Sequence, residues 1–161
     1  MATFNFGPRA ERFAMRPPEF DRPINILEGA VRSGKTWCLH PKAIYCCDYP
    51  VAGRKIITGV SKQSIYNNVL SDLFNILGPR NCSYNRDSGQ LRICNSEWLV
   101  IGAKDEGSEK YIRGLTVGVA LCDEISWAGV STPSIWQRRA FAEAMTWGMP
   151  LKRAIADEGF A

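Results

Sequence analysis

The chain has 161 residues, of which 45% are hydrophobic and 22% charged, with 14 Gly and 9 Pro. A chain of this length buries roughly 70% of the surface it exposes when unfolded, so one core needs no staples; one domain is the expectation rather than two of full size. The 20 basic and 16 acidic residues leave a net charge of +4, scattered along the chain, which permits nucleic-acid contact without demanding it.

Residues 1–23 mix aromatics, arginines and prolines, including Pro17-Pro18, and are expected to form an irregular lead-in. Ile24-Asn25-Ile26-Leu27 alternates apolar and polar before a glycine, the pattern of a short strand ending at a turn. Ser33 to Cys47 is predicted helical, with Pro41 producing a kink or an early stop because it lacks a backbone donor. Lys55 to Val60 is strand-like. Ser61 can cap a helix whose Ile65, Val69, Leu73 and Ile76 share a face, stopped by Gly78-Pro79. Leu91 to Cys94 and Trp98 to Ile101 form two strands around Asn95-Ser96, and Glu106 to Arg113 is a short polar helix. Val117 to Cys122 is apolar throughout, as in a strand covered on both faces. Pro133 to Trp147 is helical, with Trp136, Ala140, Ala144 and Trp147 on one side. Strands separated by helices give an α/β layer architecture with a mostly parallel sheet.

No apolar run approaches the ~20 residues of a membrane-spanning helix, and the first twelve residues lack the apolar centre of a signal peptide. A cytoplasm is the expected location, with no membrane partner. Six cysteines without a C-x-x-C pair, beside a single histidine, His40, make reduced small hydrophobes the expectation rather than a zinc site.

Gly29-Ala30-Val31-Arg32-Ser33-Gly34-Lys35-Thr36 fits G-x-x-x-x-G-K-[ST]. The glycines let successive N–H groups curl toward phosphate oxygens, and the following helix turns its positive end to the same anion. Lys35 is placed to reach the β- and γ-phosphates of ATP, and the Thr36 hydroxyl to ligate Mg²⁺. Asp123-Glu124 directly follows the apolar run. An Asp at the carboxyl end of a strand can hold Mg²⁺ there, and the neighbouring Glu can take a proton from an attacking water. A carboxylate poised on water favours hydrolysis over phosphoryl transfer to a second substrate.

Three blocks then resemble one family, the large terminase subunit of tailed bacteriophages: Ile24 to Thr36, Lys55 to Leu70, and Ile101 to Glu124 with its Arg-Gly-Leu-Thr approach at Arg113 to Thr116. The resemblance covers about residues 24–125. It implies a phosphate-loop nucleotidase of three layers with a mostly parallel sheet, incomplete at its C-terminal end. It also implies an ATP-driven motor that moves viral double-stranded DNA into a capsid. By that likeness Gly29 to Thr36 bind the nucleotide, Thr36 and Asp123 hold Mg²⁺, and Glu124 activates water. Arg32 stands where the family carries an arginine that stabilises charge on the γ-phosphate; a surface or packing role is the alternative. For Arg113, local loop structure is favoured over a transition-state or DNA contact. The implied partners are viral DNA, the portal, the small terminase subunit and further copies in a ring, in the cytoplasm of an infected or lysogenic bacterium.

The sequence also departs from the family. No Gln stands near Phe6 to Glu11 to read adenine, and Pro41 interrupts the helix after the loop. Residues 126–161 are expected to form a divergent helical tail with no counterpart of the family's next strand, and the family's nuclease domain has no match among these 161 residues. A truncated product and a separately encoded ATPase half both fit, and sheet edges left uncovered favour self-association. Besides the motor, a nucleotide-binding fragment that does not turn over and an unrelated small kinase remain open.

Overall fold

The computed structural model describes residues 6–17, 27, 32–102 and 114–123. Among the described residues five strands form a sheet: β1 (Arg54–Gly59), β2 (Cys82–Tyr84), β3 (Gln90–Ile93), β4 (Ser96–Gly102) and β5 (Val117–Cys122), in the order β2-β3-β4-β1-β5. β1 pairs in parallel with both β4 and β5, whereas β3 runs antiparallel to β2 and β4. The expected parallel sheet is therefore present in its centre, extended on one side by an antiparallel ribbon.

Burial explains the order. β1, flanked on both sides, carries Ile56 and Ile57, both fully buried on opposite faces. Ile57 joins Trp98, Val100 and Leu121 against the helical residues Ala43, Ile65, Val69 and Leu73. Ile56 and Ile101 form the smaller cluster of the opposite face. Each such side chain contributes about 1.5–3 kcal/mol on burial, so the central strand is the one the fold cannot lose. β5 is less covered than its apolar sequence implies: Leu121 is buried but Gly118 is exposed, and among the described residues only one of its long edges is paired.

The helices are α1 (Pro8–Ala14), α2 (Leu39–Cys47), α3 (Lys62–Ile65) and α4 (Ser71–Leu77). Residues 8–14 thus correct the expectation of an irregular lead-in. Pro8 stands in the first turn, where its missing donor costs nothing, and Glu11 favours the same end of the helix dipole. Lys42 fixes α1 to α2 by donating to the Arg16 carbonyl at 2.8 Å and lying over the Phe13 ring. Pro41 does not stop α2 either. It occupies the third residue of that helix, within the first turn, and the irregularity lies upstream as a 3-10 turn over Thr36–Cys38.

Ser61 caps α3 as its sequence predicts, accepting from the Ser64 N–H while Ser64 Oγ accepts from the Ser61 N–H, both at 3.0 Å. Ile65, Val69 and Leu73 are buried and Gly78 ends α4 with φ of 79°. The helix is not continuous: a π-turn over Tyr66–Leu70 separates α3 from α4. Three apolar residues spaced by fours drift around a helix of 3.6 residues per turn, and the wider π-turn restores them to one face. The β2–β3 connection is tied to this helix by Lys62, which donates to the Arg86 and Asp87 carbonyls, and by Arg86 over the Tyr66 ring at 4.3 Å.

Four of the six cysteines are buried and all six are free thiols, consistent with use as small hydrophobes. Burial pushes the Cys47 thiol up to about 11, which keeps it protonated at neutral pH. The segments expected at 24–26, 106–113 and 133–147 lie outside the described residues.

Gly59 and Gly102 are register partners at the carboxyl ends of β1 and β4. A Cβ on Gly102 would lie 2.7 Å from Lys62 N and 2.9 Å from Ser61 Cα, backbone atoms that cannot swing aside. Gly102→Ala is therefore expected to destabilise the protein by about 1–3 kcal/mol, read as a lower urea midpoint. An unchanged midpoint would mean that α3 does not seat on the strand end as described.

Candidate functional site

In a parallel sheet the carboxyl strand ends open onto a crevice where ligands bind. Here β1, β4 and β5 end together, and Asp123 follows β5 by one residue. Its N–H donates to the Thr58 carbonyl at 2.8 Å, continuing the β1–β5 ladder past the strand end. That bond fixes where the side chain starts. Asp123 is only 7% exposed, and its Oδ1 accepts from Thr36 Oγ1 at 2.8 Å across 87 residues of sequence.

The loop that brings Thr36 there has unusual backbone. Arg32 and Gly34 both have positive φ, 63° and 84°, and the chain then tightens into the 3-10 turn, where the Cys38 N–H donates to the Gly34 and Lys35 carbonyls at 3.2 and 3.1 Å. Gly34 accommodates its φ at no steric cost; Arg32, carrying a Cβ, does not. The Arg32 side chain is exposed. Lys35 Nζ lies 3.4 Å from Ser33 Oγ.

The structure thus brings Arg32, Ser33, Gly34, Lys35 and Thr36 into one turn and joins that turn to Asp123. Gly29, Ala30, Val31 and Glu124 lie outside the described residues, as does Arg113. The chemistry of the joined pair is informative. An ionised carboxylate only accepts hydrogen bonds, and a nearly buried one is costly without charge compensation. Among the described residues one hydroxyl, that of Thr36, bonds it. Two hard oxygen donors in contact, one anionic, are the donor type that suits a small divalent cation. No cluster of three or more His, Cys, Asp or Glu exists among the described residues that would hold a metal by side chains alone.

A residue not singled out from sequence sits beneath the loop. His40 is fully buried, with Nδ1 3.1 Å from the Trp37 carbonyl and Nε2 2.9 Å from the Val69 carbonyl in the π-turn. Burial lowers its pKa, opposed by the two carbonyls and by the Asp72 and Asp123 carboxylates. The signal available in the sequence was Pro41, which cannot serve the carbonyl four residues back. An open cavity of about 410 Å³ lies at the other end of β1, among Tyr49, Arg54, Asn95 and Glu97. Lys55 there donates to the Cys47 carbonyl and Ser96 Oγ, which ties the end of α2 to the start of β4, away from the phosphate-loop residues.

The Arg32 backbone gives a test of the loop's geometry. A left-handed residue costs roughly 1–2 kcal/mol, more for a β-branched one. Arg32→Gly is expected to leave stability equal or higher, and Arg32→Val to lower it, in thermal melts. A Val variant as stable as the Gly variant would contradict the positive φ.

No family model matches the chain, and no curated protein matches it in sequence. Solved structures do match. The large terminase of a thermophilic bacteriophage superposes with a TM-score of 0.71 at 20% identity, over 90% of this chain and 37% of that one. A second structure of it, in complex with ATP-gamma-S, gives 0.65 at 16% identity over 89% and 36%. A third gives 0.53 at 13% identity over 73% and 38%. The chain spans little more than a third of the protein it matches, and at these identities the likeness is one of fold. Together with the α/β sheet and its parallel centre, it shows that this chain has the fold of part of a phage large terminase.

Proposed function

We propose that the chain is the ATP-binding and hydrolysing motor portion of a phage DNA-packaging terminase large subunit. The observation that carries the proposal is the contact between Thr36 and Asp123 at the carboxyl end of a parallel sheet. A loop with the phosphate-binding spacing has its last hydroxyl on the carboxylate that follows an apolar strand, the pairing that an Mg-nucleotide site requires. The fold likeness to the thermophilic phage's terminase, one structure of which holds ATP-gamma-S, supports the same reading.

In this account the N–H groups from Gly29 to Thr36 cradle the phosphates, and Lys35 supplies the cation that swings from Ser33 onto the β- and γ-oxygens. Thr36 and Asp123 are the residues that would hold Mg²⁺, which when bound neutralises phosphate charge. Their donor chemistry fits it. Glu124 takes the proton of the attacking water, and Arg32, at the exposed crest of the loop, approaches the γ-phosphate. The partners that follow are double-stranded viral DNA, the portal, the small terminase subunit and further copies in a ring. The setting is the cytoplasm of an infected or lysogenic bacterium. No helix among the described residues is long and apolar enough to cross a membrane.

Two variants test the account. Lys35→Ala is expected to abolish ATP binding in calorimetric titration; unaltered affinity would refute the site. Glu124→Gln should bind ATP normally while phosphate release falls by about 10² or more, the scale of a lost general base. Equal phosphate release from Glu124→Gln and the unaltered protein would remove hydrolysis at this site from the account and leave a binding fragment. ATP consumed only with an added phosphoryl acceptor would indicate a kinase instead.

A further inference from the structure

Residue 37 is the first past the phosphate-loop spacing, and the structure fixes its backbone from both sides. Thr36 before it is bonded to Asp123. Cys38 after it is fully buried, with its N–H on the Gly34 and Lys35 carbonyls and its Sγ 3.3 Å from the Gly34 carbonyl. The Leu39 N–H closes the turn on the Thr36 and Trp37 carbonyls, and α1 packs against the same turn. On this held turn the Trp37 side chain is 37% exposed, whereas Cys38, Leu39 and His40 beside it are buried. Its indole stands almost perpendicular to the His40 ring, at 78° with centroids 4.7 Å apart. A perpendicular contact engages an edge or one face, so the imidazole leaves at least one broad face of the indole uncovered.

We infer that the Trp37 indole is the platform on which the nucleotide base stacks, and that it gives the site its preference for a nucleoside triphosphate over a bare polyphosphate. The inference rests on the nucleotide reading given above and assigns the other end of the same substrate. Lys35, Thr36 and Asp123 answer only to phosphate and metal, which any polyphosphate offers. In that reading Thr36 and Asp123 hold the cation at the β- and γ-phosphates, and the α-phosphate, ribose and base lie successively further from them. Adjacent Cα atoms stand about 3.8 Å apart and the indole extends beyond its own, which is the scale of the phosphate and sugar between metal and base. Every base has a π-face that an aromatic side chain can carry. A ring already held by its turn and by His40 loses little freedom in doing so.

The test separates base stacking from support of the loop. Affinities for the ATP analogue AMP-PNP and for tripolyphosphate, which has neither base nor sugar, are measured by calorimetry with Mg²⁺ on the full chain. Trp37→Leu keeps an apolar side chain against His40 and removes the aromatic face. It should weaken AMP-PNP binding by about tenfold, the scale of a lost base–aromatic stack, and change tripolyphosphate binding by less than about twofold. Trp37→Phe, which keeps a flat ring, should stay within about threefold of the unaltered protein for both ligands. A second readout needs no leucine variant: AMP-PNP should quench the tryptophan emission of the unaltered protein, tripolyphosphate should not, and the quench should vanish in Trp37→Phe. The inference is overturned if Trp37→Leu binds AMP-PNP as the unaltered protein does, or loses both ligands equally, as a merely structural residue would. It is also overturned if Trp37→Phe loses AMP-PNP as the leucine variant does, or if the quench is missing from the unaltered protein or survives in Trp37→Phe. An unaltered protein that binds neither ligand with Mg²⁺ would instead overturn the nucleotide reading itself.

Discussion

A single hydrogen bond, from Thr36 Oγ1 to Asp123 Oδ1, joins the two stretches of this chain in which the candidate site residues lie. On its own it contributes little, about 1.5–3 kcal/mol, and a nearly buried carboxylate costs more than that to desolvate. Stability is therefore not what the contact is for. The fold places its burial elsewhere, in the isoleucines of β1 and the helices above them, and uses it to keep a carboxylate and a hydroxyl together at the mouth of the sheet. In the proposed function this pair is where a cation would bind.

Several local features converge on that mouth. The Asp123 N–H continues the β-ladder onto Thr58, so the carboxylate inherits the rigidity of the central strand. Gly102 lets the start of α3 descend onto the strand ends, and Gly59 makes room for Ile65 at its last residue. On the loop side, positive φ at Arg32 and Gly34 turns the backbone before the 3-10 turn begins, and the buried His40 ring packs below that turn with Nδ1 3.1 Å from the Trp37 carbonyl. Backbone held in a sparsely populated region persists only where its surroundings determine it, and here the surroundings are the sheet end and the buried ring.

Much of this was legible in the sequence because the relevant signals are local. The apolar alternation of Lys55 to Val60, the Ser61 cap and the Gly78 stop each specify an element through its own residues, and the phosphate-loop spacing names Thr36 as a ligand-bearing position. What sequence could not convey was the consequence of neighbours. Pro41 reads as a breaker by propensity, yet it stands in the first turn of α2, where a missing backbone donor costs the helix little. The lead-in reads as irregular because of its prolines and arginines, but Pro8 opens a helix and Lys42, distant in sequence, holds it down. The π-turn follows from a spacing of fours that ordinary helical periodicity treats as one face. The apolar run of β5 marked a strand correctly and overstated its burial, since hydropathy does not record that among the described residues this strand is paired along one edge.

The central claim is that the Thr36 hydroxyl and the Asp123 carboxylate together form the metal-holding side of a nucleotide site. A crystal structure of the chain grown with AMP-PNP and Mn²⁺ tests this most directly, because manganese can be located by its anomalous scattering. The account predicts one strong peak beside Thr36 Oγ1, on the Asp123 side of the phosphates, with Lys35 turned from Ser33 onto the nucleotide. Manganese bound elsewhere, with Thr36 and Asp123 still bonded only to each other, would contradict it.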